Sequence, residues 1–307
     1  MSLINVNDIY FNQAVQLAPF FHYTSAEALK NIVEKSSIRF THCAFLNDTE
    51  EYLYIDEIIE KIIEEERDSE VTSFIKSMKG DINHNFKGLI LKPNDKKWFF
   101  PSTGEYYVLS GTSEKDSLPM WNYYSKNGSY FGYAIKLEIR ELYKMISPFL
   151  PVMGEFLCGK VIYDEEKQKQ IVIDHTRKLL DNFDKEYEKE RDDELIGKLQ
   201  DDFYDFVQRS RLFFKREGFK HEKELRAVVL TNTDIGKKGF SADYGITNGL
   251  IRPYIEYSFP SKCLPLQHIK LSPTIEEKIG ILGVRTLINR HNYNDVDIDK
   301  STLKLRF

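Results

Sequence analysis

Phe20-Phe21-His22-Tyr23-Thr24-Ser25-Ala26-Glu27-Ala28-Leu29-Lys30 decides how this chain is read. An aromatic strand delivers a histidine and then three hydroxyl side chains, and a helical pattern starts directly after it. The free N–H groups of a helix start can be capped by Ser or Thr, or used by an anion or a ribose. Two readings stand side by side. In one, Ser25 caps a helix and His22 is packed and satisfied. In the other, His22, Tyr23, Thr24 and Ser25 form one wall of a site.

The chain has 307 residues, enough for one large domain or two small ones and for a sizeable core. With 41% hydrophobic and 30% charged residues it reads as globular rather than disordered. The 18 Tyr and 21 Phe fill cores but also line pockets for bases and sugars. A net charge of −5 argues against a broad electrostatic grip on nucleic acid and leaves only a local basic patch open. Cys43, Cys158 and Cys263 lie far apart, without a CxxC or Cys/His cluster, so neither zinc nor a disulfide framework is expected. Free thiols fit a reducing cytosol. No basic region precedes an apolar core at the start of the chain, and no apolar run is long enough to span a membrane. The expectation is a cytoplasmic chain with neither a membrane partner nor a bound metal.

Working outward, strands are expected at 20–24 and 38–43 around a helix at 26–35. Asp48 or Thr49 is expected to cap a second helix, in which Tyr52, Ile55, Ile59 and Ile62 recur at helical spacing. A further helix covers 70–79. Strands follow at 106–110, 130–137 and 159–163, with a short helix at 117–124 opening near Pro119. The charged stretch 166–213 carries Leu179, Phe183, Leu195, Leu199, Phe203 and Phe206 on one or two amphipathic helices, broken near Asp192-Asp193. A strand at 224–230, a loop through 231–249, strands at 252–258 and 267–271, a helix at 274–290 capped at Ser272-Pro273-Thr274, and a closing strand at 303–307 complete the reading. Together these predict an α+β chain with mixed or antiparallel sheets and flanking helices. It is expected to be a single domain over 1–307 with a helical insertion at about 166–213.

Four polar patches could carry chemistry. They are His22-Tyr23-Thr24-Ser25; Asn47-Asp48-Thr49-Glu50; Ser110-Gly111-Thr112 followed by Met120-Trp121 and Tyr124; and Lys215 followed by His221-Glu222-Lys223-Glu224-Leu225-Arg226. If the last strand begins at 222, Glu222, Glu224 and Arg226 share a face, because strand side chains alternate with period two. Paired carboxylates repel, which raises one pKa and can create a general base or an acceptor for sugar hydroxyls. The plain alternative is an exposed strand with surface ion pairs of little energetic weight. Trp121 and Tyr124 fit a core more readily than a stacking platform.

This succession resembles the bacterial DUF2971 family, a domain of unknown function. The resemblance rests on His22-Tyr23-Thr24-Ser25, Asn47-Asp48-x-Glu50, Ser110-x-Thr112, Met120-Trp121-x-x-Tyr124, Lys215, Glu222-x-Glu224-x-Arg226, Ile269-x-x-Ser272-Pro273 and the closing Ser301…Arg306. Phe219 stands where members often carry Trp, and Ser272 where they often have Gly.

A second, partial resemblance is to ADP-ribosyltransferase folds, carried by the early His-Tyr-Thr, the hydroxyl-bearing middle strand and the late Glu-x-Glu. It implies an ADP-ribosyltransferase-like core with NAD as substrate. By position, His22 and Thr24 would hold ribose or phosphate, Trp121 or Tyr124 would stack on nicotinamide, and Ser110 would orient. Glu224 would be catalytic, with Glu222 as runner-up. Tyr23, Ser25, Asn47, Asp48, Thr112, Lys215 and Arg226 complete the expected binding set. Cleaving an N-glycosidic bond with a good leaving group needs orientation, a nearby carboxylate and exclusion of water.

Three functions follow as expectations. The first is an NAD-consuming ADP-ribosyltransferase or NAD glycohydrolase with a possible macromolecular acceptor, acting as a toxin or phage-defence effector. The second is a non-catalytic regulatory module that binds a nucleotide or a protein partner. The third is a metal-dependent nuclease built on Asp48, Glu50, Glu222 and Glu224, ranked last because their spacing supplies no specific ligand set.

Overall fold

The structure is a computed structural model that describes residues 19–46, 53–78, 85–86, 89–90, 104–124, 130–150, 154–187, 193–232, 242–247 and 249–304. In chain order the elements are β1 (Phe20–Thr24), α1 (Ala26–Lys35), β2 (Ser37–His42), α2 (Tyr54–Glu65), α3 (Ser69–Met78), β3 (Asn85–Phe86) and β4 (Leu89–Ile90). Next come β5 (Gly104–Thr112), α4 (Leu118–Tyr124), β6 (Tyr133–Leu137), α5 (Ile139–Ile146), β7 (Glu155–Lys160), α6 (Glu165–Tyr187) and α7 (Asp193–Arg211). The chain continues with β8 (Glu224–Asn232), β9 (Asp243–Thr247), β10 (Leu250–Ser258), β11 (Leu266–Leu271), α8 (Glu277–Arg290) and β12 (Asp297–Lys300). This is an α+β architecture with a mostly antiparallel sheet.

The described residues fall into two compact units. The helical unit takes those between Asn47 and Thr103 and between Val161 and Phe219. The sheet unit takes those between Asn12 and Leu46, Gly104 and Lys160, and Lys220 and Phe307.

In the helical unit, residues three or four apart line one face of each helix and bury it. Ile55, Ile58, Ile59 and Ile62 of α2 and Val71, Phe74 and Ile75 of α3 are buried. So are Val172, Leu179 and Phe183 of α6 and Leu199, Phe203 and Phe206 of α7. Hence the charged 166–213 stretch folds together with α2 and α3. Lys169, its side chain 3% exposed, gathers the carboxylates of Glu65 at 2.6 Å and of Glu165 and Glu166 at 3.1 Å. The stretch is described as α6, ending at Tyr187, and α7, beginning at Asp193; residues 188–192, where the break near Asp192-Asp193 was expected, lie outside the described residues.

The sheet unit forks at β5. One edge of β5 pairs with β8 along its whole length, from Gly104 opposite Asn232 to Thr112 opposite Glu224. Its other edge is shared, with Tyr107 and Val108 facing His42 and Thr41 of β2, and Thr112 facing Phe21 of β1. From there one branch runs β1–β6–β11–β12 and the other β2–β10–β9, while β8 continues to β7. One face of the sheet buries Phe20, Phe40, Leu109, Ile135, Ala227 and Ile269 with residues of α1, α5 and α8. The opposite face carries a smaller cluster in which Phe21, Tyr23 and Ala134 meet Met120 and Trp121 of α4. Gly111 lets β1 approach closely, because a Cβ there would overlap Cε1 and Cζ of the Phe20 ring and force it to shift.

Several expectations shift once tertiary partners are in place. The second helix begins at Tyr54 after Leu53, with no side-chain cap; Asp48 and Thr49 lie outside the described residues. The helix expected from Thr274 starts at Glu277, and Glu276 caps it by accepting the N–H groups of Lys278 and Ile279. Ser272 and Thr274 are diverted from capping: Ser272 accepts the Gly132 N–H and Thr274 donates to the Tyr130 carbonyl. The strand expected at 159–163 lies earlier, at β7, and Ile162 makes only an isolated bridge to Phe214. Within 231–249, read as loop, β9 pairs with β10. The last described strand is β12; residues 301–304 have no regular structure, and 305–307, the rest of the expected closing strand, lie outside the described residues.

Candidate functional site

Three of the four polar patches meet on three neighbouring strands. Ser110 of β5 lies opposite Arg226 of β8, Thr112 lies opposite both Glu224 of β8 and Phe21 of β1, and His22 follows Phe21. Strand alternation puts Ser110, Thr112, Glu224 and Arg226 on one face, together with Phe21 and Tyr23. His22 and Thr24 belong to the other face.

His22 nevertheless reaches the fork. Its Nδ1 lies 2.8 Å from the carbonyl oxygen of Ser110, between the points where β1 and β2 pair with β5. Burial drives its pKa below the ordinary histidine value, against the opposing pull of the Ser110 hydrogen bond. The neutral ring must carry its proton on Nδ1, because a carbonyl can only accept. Nε2 then presents a lone pair, suited to a hydroxyl donor.

Glu224 and Arg226 form a buried two-point pair. Arg226 Nε and Nη2 donate to the two carboxylate oxygens, each at 2.9 Å, with the side chains 2% and 5% exposed. This matched geometry is the one in which a buried ion pair compensates its desolvation. Glu222 is also buried, but the strand-face argument for it fails. It ends a 3-10 turn over Glu217–Glu222, and Lys223, with φ 43, turns the chain before the strand begins at Glu224. Period two therefore links Glu224 to Arg226 and not to Glu222.

Other nominated residues hold the framework. Ser25 caps α1 by accepting the Ala28 N–H at 3.2 Å, as the plain reading had it. The Tyr23 hydroxyl donates to the Glu114 carbonyl and accepts the Ser117 N–H, both at 3.0 Å, and burial raises its pKa. Thr112 donates to the Glu222 carbonyl at 2.7 Å, fastening the turn before β8 to β5. Trp121 is 1% exposed, its ring edge-on to Tyr23 with centroids 4.6 Å apart. Tyr124 is half-buried beside this cluster. Lys215 belongs to the helical unit, where its ammonium sits 4.7 Å from the centre of the Phe219 ring. Asn47, Asp48 and Glu50 lie outside the described residues.

Two contacts were missed in the sequence. Tyr123 and His221, both exposed, meet through the Tyr123 hydroxyl and His221 Nε2 at 2.9 Å. The position of His221 directly before the Glu-x-Glu was the available signal. Asp116 carries no local signal in the sequence, yet its carboxylate accepts from Trp121, Ser301 and Thr302. Among the described residues no group of three or more His, Cys, Asp or Glu is arranged to hold a metal ion. No described helix is long and apolar enough to cross a membrane.

The model of the family described as "Protein of unknown function (DUF2971)" matches residues 120–227. That span runs from Met120 in α4 to Ala227 in β8, taking in Trp121, Tyr124, Lys215, Glu222, Glu224 and Arg226 but not His22 or Ser110. No curated protein and no solved structure matches the chain.

Proposed function

We propose that the fork on β5, where β1 and β2 share the edge opposite β8, binds NAD and that the chain cleaves its nicotinamide–ribose bond, passing ADP-ribose to water or to a macromolecular acceptor. The observation behind this reading is the Ser110 carbonyl at the fork, bonded by His22 on one side, while Arg226 and its partner Glu224 lie across the strand pair. A ligand that reaches both faces must lie in the fork. Nε2 of neutral His22 accepts a ribose hydroxyl, and the hydroxyl of Ser110 orients the sugar. Tyr124 is the better stacking partner for nicotinamide, because Trp121 is buried.

In the reaction the bond from ribose C1′ to the nicotinamide nitrogen breaks, and its electron pair leaves with neutral nicotinamide. The Glu224 carboxylate, kept anionic and oriented by Arg226, opposes the positive charge that develops on the ribose. The incoming nucleophile adds to C1′ and releases its proton to solvent. A toxin or a phage-defence effector is the setting that suits such an activity. Incubation with NAD labelled in its adenylate half, with and without cell extract, tests it: free or protein-bound labelled ADP-ribose supports the reading. Intact NAD in both reactions overturns it.

A second reading is favoured by one observation, the commitment of both Glu224 oxygens to Arg226. It is a binding module that holds a nucleotide in the same fork without turning it over. It predicts that NAD raises the melting temperature while no nicotinamide appears.

A further inference from the structure

Asp116 lies in the turn between β5 and α4, and its carboxylate joins two segments far apart in sequence. Oδ1 accepts the indole N–H of Trp121 at 2.8 Å and the Ser301 hydroxyl at 2.7 Å. Oδ2 accepts the backbone N–H of Thr302 at 2.9 Å. Burial would raise the pKa of this carboxyl. The hydrogen bonds from Ser301, Trp121 and Thr302 and the Lys270 charge outweigh burial and hold it below the usual range.

The far end of the contact is equally built. Ser301 is buried, its N–H donates to the Leu271 carbonyl at 2.8 Å, and its hydroxyl oxygen accepts the Leu303 N–H at 3.2 Å. Leu303 packs against the cluster of Phe21, Tyr23, Met120 and Trp121. Beneath it the buried Lys270 donates to the Lys300 carbonyl at 3.2 Å and pairs with Asp299 at 2.6 Å. On the near side, the Tyr23 hydroxyl fixes the same turn through Glu114 and Ser117.

We propose that Asp116 is a positioning residue that clamps the 301–303 segment onto the Trp121 indole and so fixes α4, the helix that presents Tyr123 and Tyr124. The function of the clamp rests on the NAD reading above; its mechanics do not. The clamp is one charged acceptor shared by donors from two segments, so removing the charge loosens both ends together. Residues 301–303 thereby become part of the apparatus that shapes the site.

The test uses the full chain with Asp116→Asn and, as a milder variant, Ser301→Ala, read by hydrogen exchange and by NAD kinetics. In both variants, amides of 301–304 and of 118–124 are expected to exchange faster together, while those of β10 stay unchanged. The KM for NAD is expected to rise about tenfold in Asp116→Asn, the equivalent of one hydrogen bond to a charged group, with kcat within about twofold. If Asp116→Asn does not fold, Ser301→Ala decides by the same two readouts. Faster exchange at 301–304 with 118–124 unaffected overturns the clamp. An equal fall in kcat with unchanged KM overturns its positioning role. If the wild-type chain does not cleave NAD, the NAD reading fails and the exchange coupling alone decides the clamp.

Discussion

Arg226 grips the Glu224 carboxylate with two parallel hydrogen bonds of 2.9 Å inside the sheet, two residues away on the same strand. A strand repeats its facing every second residue, so Glu-x-Arg builds such a pair locally. Its burial means that neither partner can be removed alone without stranding the other's charge. Arg226→Met is expected to lower unfolding free energy by about 3–5 kcal/mol, the range for breaking one side of a buried pair. The double variant Glu224→Gln/Arg226→Met should recover much of that loss, as denaturant midpoints of the three proteins would reveal. A double variant no more stable than Arg226→Met alone would contradict the account.

His22 sets a pH dependence on ligand binding. Its folded pKa lies below the ordinary value, so the ring is neutral at pH 7 and Nε2 accepts. Protonation at lower pH converts Nε2 into a donor and removes the acceptor. NAD affinity is therefore expected to be flat from about pH 8 through about 6.5, the unperturbed histidine pKa, and to weaken only at the lower pH where the depressed folded pKa lies. His22→Gln should weaken binding throughout and abolish the acid limb. Titration calorimetry across pH measures both; an acid limb that persists in His22→Gln would assign it elsewhere.

His175 makes the helical unit acid-sensitive. Its ring is 1% exposed, stacks on Phe206 with centroids 3.8 Å apart, and has no hydrogen-bond partner on either nitrogen among the described residues. Burial, aided by the Lys178 charge, pushes its pKa down to about 3. The unfolded chain takes up a proton near pH 6.5 while the folded one does not, so stability falls as pH drops from 6.5 toward 3. The limiting slope is about 1.4 kcal/mol per pH unit. Urea midpoints at pH 7 and pH 5 should differ in wild type and differ less in His175→Leu, because His22 and His268 are also held below the ordinary value. An undiminished difference in that variant would refute the assignment.

Gly111 is expected to resist enlargement. A methyl group there meets the Phe20 ring, and overpacking of this kind costs about 1–3 kcal/mol. Gly111→Ala should lower the melting temperature, and Gly111→Ala/Phe20→Leu should recover part of the loss. A single variant as stable as wild type would contradict the close approach of these strands.

Local chemistry was readable in advance and long-range chemistry was not. The cap of Ser25 on α1 and the Glu224-x-Arg226 facing follow from residues within a few positions of each other. Of the closing strand expected at 303–307, only Leu303 and Lys304 are described and they have no regular structure, while just before them Ser301 and Thr302 donate to Asp116, 185 and 186 residues away. Ser272 and Thr274 looked like helix caps but serve Gly132 and Tyr130. Glu222 looked like the next strand residue because nothing in its neighbours announces the left-handed Lys223. The fork itself has no local signal, since it depends on β1 and β2 sharing one edge of β5.

The most direct measurement is nicotinamide release from NAD by the purified chain, compared with Glu224→Gln. Gln keeps the shape of the side chain and removes the negative charge that would face the reacting ribose. The account predicts release by wild type and a fall of at least about a hundredfold in the variant, the scale for losing one electrostatic contact to the transition state. Thermal melts show whether the variant remains folded. Equal release by a folded Glu224→Gln and wild type, or none by wild type, would contradict it.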